Sequence, residues 1–171
     1  MFLDIKGGFD NVDYSTMLRR LQTSDVPEYM VKWISNFISY RQCAIIFSSS
    51  PREMRGINTE IPQGSPLFPI LFVIYTEPLH TCIDPSREFI SSCLDDIQVT
   101  VSSNSWWTNS KLLEEVFVRV KSIATFLGLQ FSTHKMDLIH WRTPREKVTR
   151  SEHLIVVDGE CIQPTPKPSS G

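Results

Sequence analysis

Three aspartates in this sequence could together support metal-dependent chemistry. Asp4 lies near the end of the first apolar run, FLDI, and Asp95-Asp96 form an acidic pair much later in the chain. If the fold places them side by side, their carboxylates supply the hard oxygen ligands that Mg²⁺ prefers, and two such ions stabilise both the attacking and the leaving oxygen of a phosphoryl transfer. That chemistry suits nucleotidyl transfer. The alternative is that Asp4 caps a strand and that Asp95 and Asp96 are ordinary turn residues.

The segments that carry these aspartates have the patterns of a strand and a hairpin. FLDI is a short apolar strand pattern, which Gly7 and Gly8 end. From Phe89 to Val101 the pattern has a period of two, which predicts two strands that meet in a tight turn at Leu94-Asp95-Asp96. The sequence therefore predicts the candidate carboxylates at a strand end and at a hairpin turn.

The remaining elements follow from helical periodicity, period-two patterns and turn residues. We expect four helices: one capped by Asp10 or Asp13, one from Pro27 to about Tyr40, one over the apolar run 66–75, and one over 112–127 that Gly128 ends. Further strands are expected at 44–47, 54–60, 136–141 and 154–157, the last followed by a turn at Asp158-Gly159.

These elements alternate without a regular β-α-β rhythm. The pattern favours an α+β fold, with an antiparallel sheet that carries the acids and helices packed on one face. The expected organisation is a main region over 1–141, a basic loop and terminal hairpin over 142–162, and a Pro-rich tail over 163–171.

Composition narrows the functional classes. The formal net charge of −2 argues against a free-standing electrostatic clamp on nucleic acid, since neutralising phosphates needs a surplus of Lys and Arg. No apolar run reaches the roughly 18 residues of a membrane span, and charged residues directly behind Met1-Phe2-Leu3 leave no room for a signal-peptide core. The four cysteines are scattered without a C-x-x-C pair, which indicates neither a zinc site nor a disulfide framework. We expect an intracellular protein, in the nucleus or the cytoplasm.

Four segments carry a family resemblance. In chain order they are FLDIKGGFDNVD, IPQGSPLFPILFVIY, CLDDIQVTV and GLQFSTHK. At these spacings they resemble the successive palm motifs of reverse transcriptases from LINE-type, non-LTR retrotransposons. The resemblance runs from residue 2 to about residue 141, and it implies that residues 1–141 form the palm region of an RNA-directed DNA polymerase.

The resemblance implies a role for each residue near the acids. Asp4 and Asp95 would bind the metal ions, Asp96 would be the second acid of the pair, and the backbone of Ile5 would be a further oxygen donor. The implied cofactor is two Mg²⁺ ions, with Mn²⁺ possible, and the implied partners are an RNA template, a DNA primer and dNTPs. Lys135 would neutralise or protonate the leaving pyrophosphate; its alternative is a solvated surface charge.

Three further residues would contact the incoming nucleotide. Phe9 matches the family's gate position, where an aromatic ring excludes the 2′-hydroxyl of a ribonucleotide by bulk; the alternative is an ordinary core aromatic. Gln63 and Gly64 match a loop that packs on the nucleotide and the template base, where a missing Cβ permits close approach. Their alternative is a simple loop before a helix.

The sequence departs from the family at several motif positions. Cys93 stands where the family has an aromatic residue, usually Tyr, whose ring packs beside the primer end. Phe68 replaces the usual Ser after Pro-Leu, and overpacking by such a ring would cost about 1–3 kcal/mol. Gly8 replaces the usual Ala, and Met136 replaces the usual Thr or Ser.

Three hypotheses remain open. The first is a reverse transcriptase palm in which fingers and thumb are largely absent, so that tight substrate binding would need those missing parts. The second is a catalytically inactive remnant of a decayed retrotransposon open reading frame, which the substitutions and the short extent favour. The third is a nucleic-acid-binding module without chemistry, which the net charge disfavours.

Overall fold

The computed structural model describes residues 1–39, 41–45, 53–57, 64–141 and 153–165. Within these ranges the chain has an α+β fold with four α-helices, and every pairing between its strands is antiparallel, which confirms the predicted class. The helices are α1 (Tyr14–Thr23), α2 (Glu28–Ile38), α3 (Phe68–Thr81) and α4 (Trp106–Phe126). The strands are β1 (Phe2–Asp4), β2 (Arg41–Ile45), β3 (Glu53–Ile57), β4 (Glu88–Cys93), β5 (Asp96–Val101), β6 (Ile155–Val157) and β7 (Glu160–Ile162).

The chain divides into two compact units. One consists of Met1–Lys6 together with Glu77–Gly171, and the other is Gly7–Thr76, so that the division falls within α3. The organisation predicted from sequence, with boundaries after residues 141 and 162, stays a prediction. The basic loop and the end of the Pro-rich tail, at 142–152 and 166–171, lie outside the described residues.

The first unit is built on a three-stranded sheet in the order β1-β5-β4. Leu3, Ile97 and Val99 are at most 2% exposed and alternate with more exposed residues along β1 and β5, and α4 packs against β5. The amphipathic pattern of α4 is confirmed: its apolar stripe is buried, and the helix ends before Gly128, whose φ of 76° suits a glycine. The sheet therefore has one face in the core.

The terminal hairpin of this unit follows the prediction. β6 and β7 pair through a two-residue turn at Asp158-Gly159, and both turn residues have positive φ, 54° and 81°, as a type I′ turn requires. The hairpin is held on α4, because the backbone N–H of Val156 donates to the carboxylate of Glu114 at 2.9 Å.

The strand predicted at 136–141 is wrong. Asp137 forms an isolated bridge to Phe2, and Leu138 forms a separate one to Pro164. The two residues therefore pair with different segments, and no continuous ladder forms. The sequence shows a period of two here because Met136 and Leu138 are both buried, at 7% and 0% exposed. Their side chains pack into the core although the backbone between them does not form a strand.

The second unit contains α1, α2, the hairpin of β2 and β3, and the first part of α3. Asp13, rather than Asp10, caps α1: its carboxylate accepts from the backbone N–H of Thr16 at 2.7 Å. α2 contacts α1 and buries Val31, Ile34 and Ile38. The predicted strand pair is present as β2 and β3, and its connecting turn lies outside the described residues.

The apolar run predicted as a buried helix forms α3, with one face buried. Leu71, Phe72 and Tyr75 are at most 1% exposed, whereas Ile70 and Val73 are more than half exposed. Among the described residues, no helix is both long enough and apolar enough to cross a bilayer.

Candidate active site

The fold of the first unit brings the three candidate aspartates to one end of its sheet. Asp4, the last residue of β1, lies directly opposite Asp96, the first residue of β5. Residues opposite each other in an antiparallel pair point to the same face, with their Cβ atoms roughly 5 Å apart. The backbone N–H of Ile5 donates to the carbonyl of Asp95 at 2.9 Å, which carries the pairing one step into the turn.

The predicted tight hairpin is confirmed, and its turn has an unusual backbone. Cys93 and Asp96 are the last residues to pair between β4 and β5, so that Leu94 and Asp95 form a two-residue turn. Leu94 has φ of 57°, in the left-handed region that a leucine rarely adopts. Such a conformation costs on the order of 1–3 kcal/mol and persists only where the surrounding structure holds it, as at many functional sites.

The carboxylate of Asp4 is held by two side chains that follow α4. The hydroxyl of Ser132 donates to Oδ2 at 2.8 Å, and Lys135 Nζ lies 3.1 Å from Oδ1. Ser132 reaches this position because its backbone N–H also donates to the carbonyl of Asp4, at 2.9 Å. Ser132 is buried, whereas the Lys135 side chain is 57% exposed on a single 3-10 turn, Thr133–Lys135. The hydroxyl is thus a fixed partner of Asp4 and the lysine a movable one.

An open cleft of about 770 Å³ lies over this end of the sheet. It is lined by Asp4, Asp95, Asp96 and Lys135, which are all the catalytic residues predicted from sequence, and by Cys93 at the end of β4. A cleft of this size falls within the range of small-molecule sites. Cys93 is exposed, so the position where the family has an aromatic ring opens onto the cleft.

The cleft contains the type of ligand that a hard cation prefers, but its carboxylates are not arranged as a metal-binding cluster. Asp4 and Asp96 present carboxylate oxygens on one face, which is the ligand type that Mg²⁺ prefers. Over the described ranges, no group of three or more His, Cys, Asp or Glu side chains is arranged to hold a metal ion. Because Lys135 occupies one oxygen of Asp4, a cation at Asp4 would compete with the ammonium group.

The predicted nucleotide-contacting residues belong mainly to the second unit. The ring of Phe9 packs against Phe68 and Phe72, with centroids 4.3 and 4.7 Å away. Gly64 has φ of 93°, a conformation that favours glycine, and the described residues leave open space where its Cβ would lie. Gln63 lies outside the described residues. Ile5 belongs to the first unit and is buried at 1% exposed.

Sequence reasoning missed Ser132 as a partner of Asp4. A serine gives no distinctive signal by itself, but it lies three residues before Lys135 within the segment GLQFSTHK that the resemblance singled out. The short distance in sequence between this hydroxyl and Lys135, which was predicted to contact the pyrophosphate, was the one signal in this segment that pointed to Ser132 as a site residue. His134, which also lines the cleft, was missed in the same segment.

Residues 1–156 match the reverse transcriptase (RNA-dependent DNA polymerase) family. This chain belongs to that family. The match covers all four motif segments, and it confirms the resemblance predicted from them.

The relatives that this chain resembles are proteins of retrotransposable elements. It is 33% identical over 75% of its length to a 115 kDa protein of the type-1 retrotransposable element R1DM of Drosophila melanogaster. It is 25% identical over 95% of its length to a retrovirus-related Pol polyprotein of the type-1 element R2 of Popillia japonica, and 26% identical over 61% to an RNA-directed DNA polymerase of transposon BS of Drosophila melanogaster. The matched regions span 12%, 28% and 12% of these relatives.

Proposed function

We propose that this chain is the palm of an RNA-directed DNA polymerase, which adds dNTPs to the 3′-hydroxyl of a DNA primer on an RNA template. The observation that carries the proposal is the pairing of Asp4 with Asp96 beside the Asp95 turn, over an open cleft, in a member of the reverse transcriptase family. The sheet of β1, β5 and β4 would be the palm sheet, with helices on one face.

The residues of the cleft would divide the work of nucleotidyl transfer. Asp4, Asp95 and Asp96 would hold two Mg²⁺ ions, or Mn²⁺, with the backbone of Ile5 as an added oxygen donor. When bound, such ions stabilise the attacking and leaving oxygens. Ser132 would keep the Asp4 carboxylate oriented through its 2.8 Å hydrogen bond. Lys135 would leave Asp4 and neutralise or protonate the leaving pyrophosphate.

Nucleotide selection would depend on the residues that match the gate and the loop of the family. Phe9 would act as the gate that excludes a 2′-hydroxyl, and Gln63 and Gly64 would pack against the incoming nucleotide and the template base. The open space that the described residues leave where a Cβ of Gly64 would lie supports this proposal, since it leaves room for the close approach of a ligand. The fingers and thumb that the family uses would be needed for tight binding of the primer and template.

Primer extension on an RNA template with dNTPs and Mg²⁺ or Mn²⁺ tests the proposal. Asp95→Asn removes a charge with little change in shape, and we expect it to abolish extension. Asp158→Asn is the matched control, because Asp158 is a turn carboxylate in the same unit that does not line the cleft. Extension that survives Asp95→Asn contradicts the metal assignment.

Cys93→Tyr tests whether the missing aromatic ring at position 93 weakens the binding of the primer. Because Cys93 is exposed at the rim of the cleft, a tyrosine ring can be added without displacing core residues. If the missing ring limits primer placement, Cys93→Tyr should lower the KM for primer and template and raise extension. An unchanged KM would show that the missing ring at position 93 does not limit the binding of primer and template.

The second candidate is a catalytically inactive palm remnant. Cys93 favours it, since the cleft lacks the aromatic ring that the family places beside the primer end. No extension by the native chain or by Cys93→Tyr, from protein shown to be folded by circular dichroism, would contradict polymerase activity in this chain and support the remnant.

A further inference from the structure

Phe9 is held in the second unit by two aromatic rings from the start of α3. Phe68, the first residue of α3, is 9% exposed, and Phe72, one turn later, is fully buried. Their ring centroids lie 4.3 and 4.7 Å from that of Phe9, with interplanar angles of 52° and 58°. Residues four apart on a helix share a face, so the two rings form one platform under Phe9.

The backbone around Phe9 is a turn rather than a helix or strand. Gly7 has φ of 55°, and its carbonyl accepts from the N–H groups of Asp10 and Asn11 at 3.1 and 3.2 Å. These bonds fix the path of the chain but not the rotamer of Phe9, whose ring is only half-buried. The orientation of that ring therefore depends on its aromatic neighbours, and tilted ring contacts of this kind each add about 0.5–1.5 kcal/mol.

Phe68 is a departure from the family, which usually has Ser at this position. The structure accommodates the larger ring by burying it against Phe9. A serine would remove the ring contact that Phe68 makes with Phe9, and among the residues that the structure describes Phe72 would remain as the aromatic neighbour of Phe9. The substitution thus adds a contact to the residue that is proposed as the sugar gate.

We infer that Phe68 is a positioning residue that fixes the ring of Phe9 and so sets how strongly the chain discriminates dNTPs from rNTPs. The inference rests on the proposed function, in which Phe9 is the gate. A ring that can turn or retreat excludes a 2′-hydroxyl less strictly than a fixed one. Phe68 would therefore sharpen the selection for deoxyribonucleotides.

The first test compares dNTP and rNTP incorporation in primer extension by Phe68→Ser and Phe68→Leu. We expect the ratio of kcat/KM for dNTP to that for rNTP to fall roughly 2- to 12-fold in Phe68→Ser, the range for one aromatic pair. Phe68→Leu keeps an apolar group in the gap and should restore part of the ratio. Ile34→Ala, which truncates a buried side chain of α2 in the same unit, controls for lost stability and should leave the ratio unchanged. A ratio that is unchanged or raised in folded Phe68→Ser overturns the inference.

The second test follows the Phe9 ring without relying on polymerase activity. With 4-fluorophenylalanine at position 9, Phe68→Ser should shift and narrow the ¹⁹F resonance, Phe68→Leu should do so less, and Ile34→Ala should not. An unchanged resonance in Phe68→Ser shows that Phe68 does not fix the ring. A shifted resonance with an unchanged incorporation ratio shows that the contact does not set selectivity.

A native chain that extends no primer would contradict the proposed function but would leave this inference testable. Titration of the fluorinated chain with dATP and with ATP then gives the ratio of the two Kd values in place of the incorporation ratio. A preference for dATP that weakens in Phe68→Ser supports the inference. Equal binding of both nucleotides by the native chain, or no binding of either, overturns it.

Discussion

Lys135 and a metal ion are expected to compete for the same carboxylate, and Lys135→Gln tests this competition. Lys135 Nζ lies 3.1 Å from Oδ1 of Asp4, while Ser132 occupies Oδ2. A cation that binds Asp4 must therefore displace the ammonium group or bind beside it against charge repulsion. Replacing Lys135 by the uncharged glutamine should strengthen divalent-cation binding. The same change should weaken primer extension if Lys135 neutralises the leaving pyrophosphate.

The size of the effect follows from the exposure of the ion pair. The Lys135 side chain is 57% exposed and that of Asp4 is 19% exposed, so solvent screens much of their attraction. Pairs of this kind contribute roughly 0.2–1 kcal/mol. Removing the competing ammonium group in Lys135→Gln should therefore raise the affinity for a divalent cation roughly 1.4- to 5-fold. Asp4→Asn should act in the opposite direction and reduce affinity much more, because it removes a charged ligand.

Titration of the folded chain with Mn²⁺, followed by electron paramagnetic resonance, measures this affinity directly. Lys121→Gln is the matched control: Lys121 forms an ion pair with Asp158 in the same unit, away from the cleft. Its Mn²⁺ affinity should equal that of the native chain. Binding that Asp4→Asn leaves intact would refute the assignment of the site. Unchanged or weaker binding in Lys135→Gln would refute the competition.

Three further predictions concern stability, each measured by urea denaturation. Asp13→Ala should lower the free energy of unfolding by about 1 kcal/mol. Hydrogen bonds from the Ser15 hydroxyl and from a backbone N–H hold the pKa of Asp13 in the folded chain below its ordinary value. The difference in stability between the native chain and Asp13→Ala should therefore be largest above the ordinary aspartate pKa and disappear as the pH falls through the lowered pKa of the folded chain. Arg119→Met should lower the free energy of unfolding by roughly 1–3 kcal/mol, because the carboxylate of Glu88, 3% exposed, would lose two hydrogen bonds of 2.7 Å. The cost stays below that of a fully buried pair, since the Arg119 side chain is 41% exposed and solvent screens it. Phe117→Ala should lower the free energy of unfolding by about 3–5 kcal/mol, since Phe117 is 2% exposed. A loss below about 1 kcal/mol in Phe117→Ala would contradict the packing of α4, and a loss below about 1 kcal/mol in Arg119→Met would contradict the contact of Arg119 with Glu88.

Local patterns in the sequence were enough to predict the elements whose signals lie within a few residues. The stripe of α4, the Gly128 stop and the Asp158-Gly159 turn depend on local side-chain spacing and on local φ preferences, and all three are confirmed. The bridges of Asp137 and Leu138 depend on distant partners, which no local pattern specifies. For the same reason Ser132 could not be assigned to Asp4, since their hydrogen bond joins residues far apart in the chain.

The placement of the carboxylates is itself a consequence of the apolar core. Leu3 and Ile97 are opposite each other in the register of β1 and β5, and both are 2% exposed. A slip of one residue in this pairing would exchange the two faces of β1, turning Leu3 toward solvent and Asp4 toward α4. Burying an unpaired carboxylate costs far more than the screened contacts that Asp4 makes in the cleft. The hydrophobic residues therefore fix the register, and the register sets Asp4 opposite Asp96 whether or not a metal ion is bound.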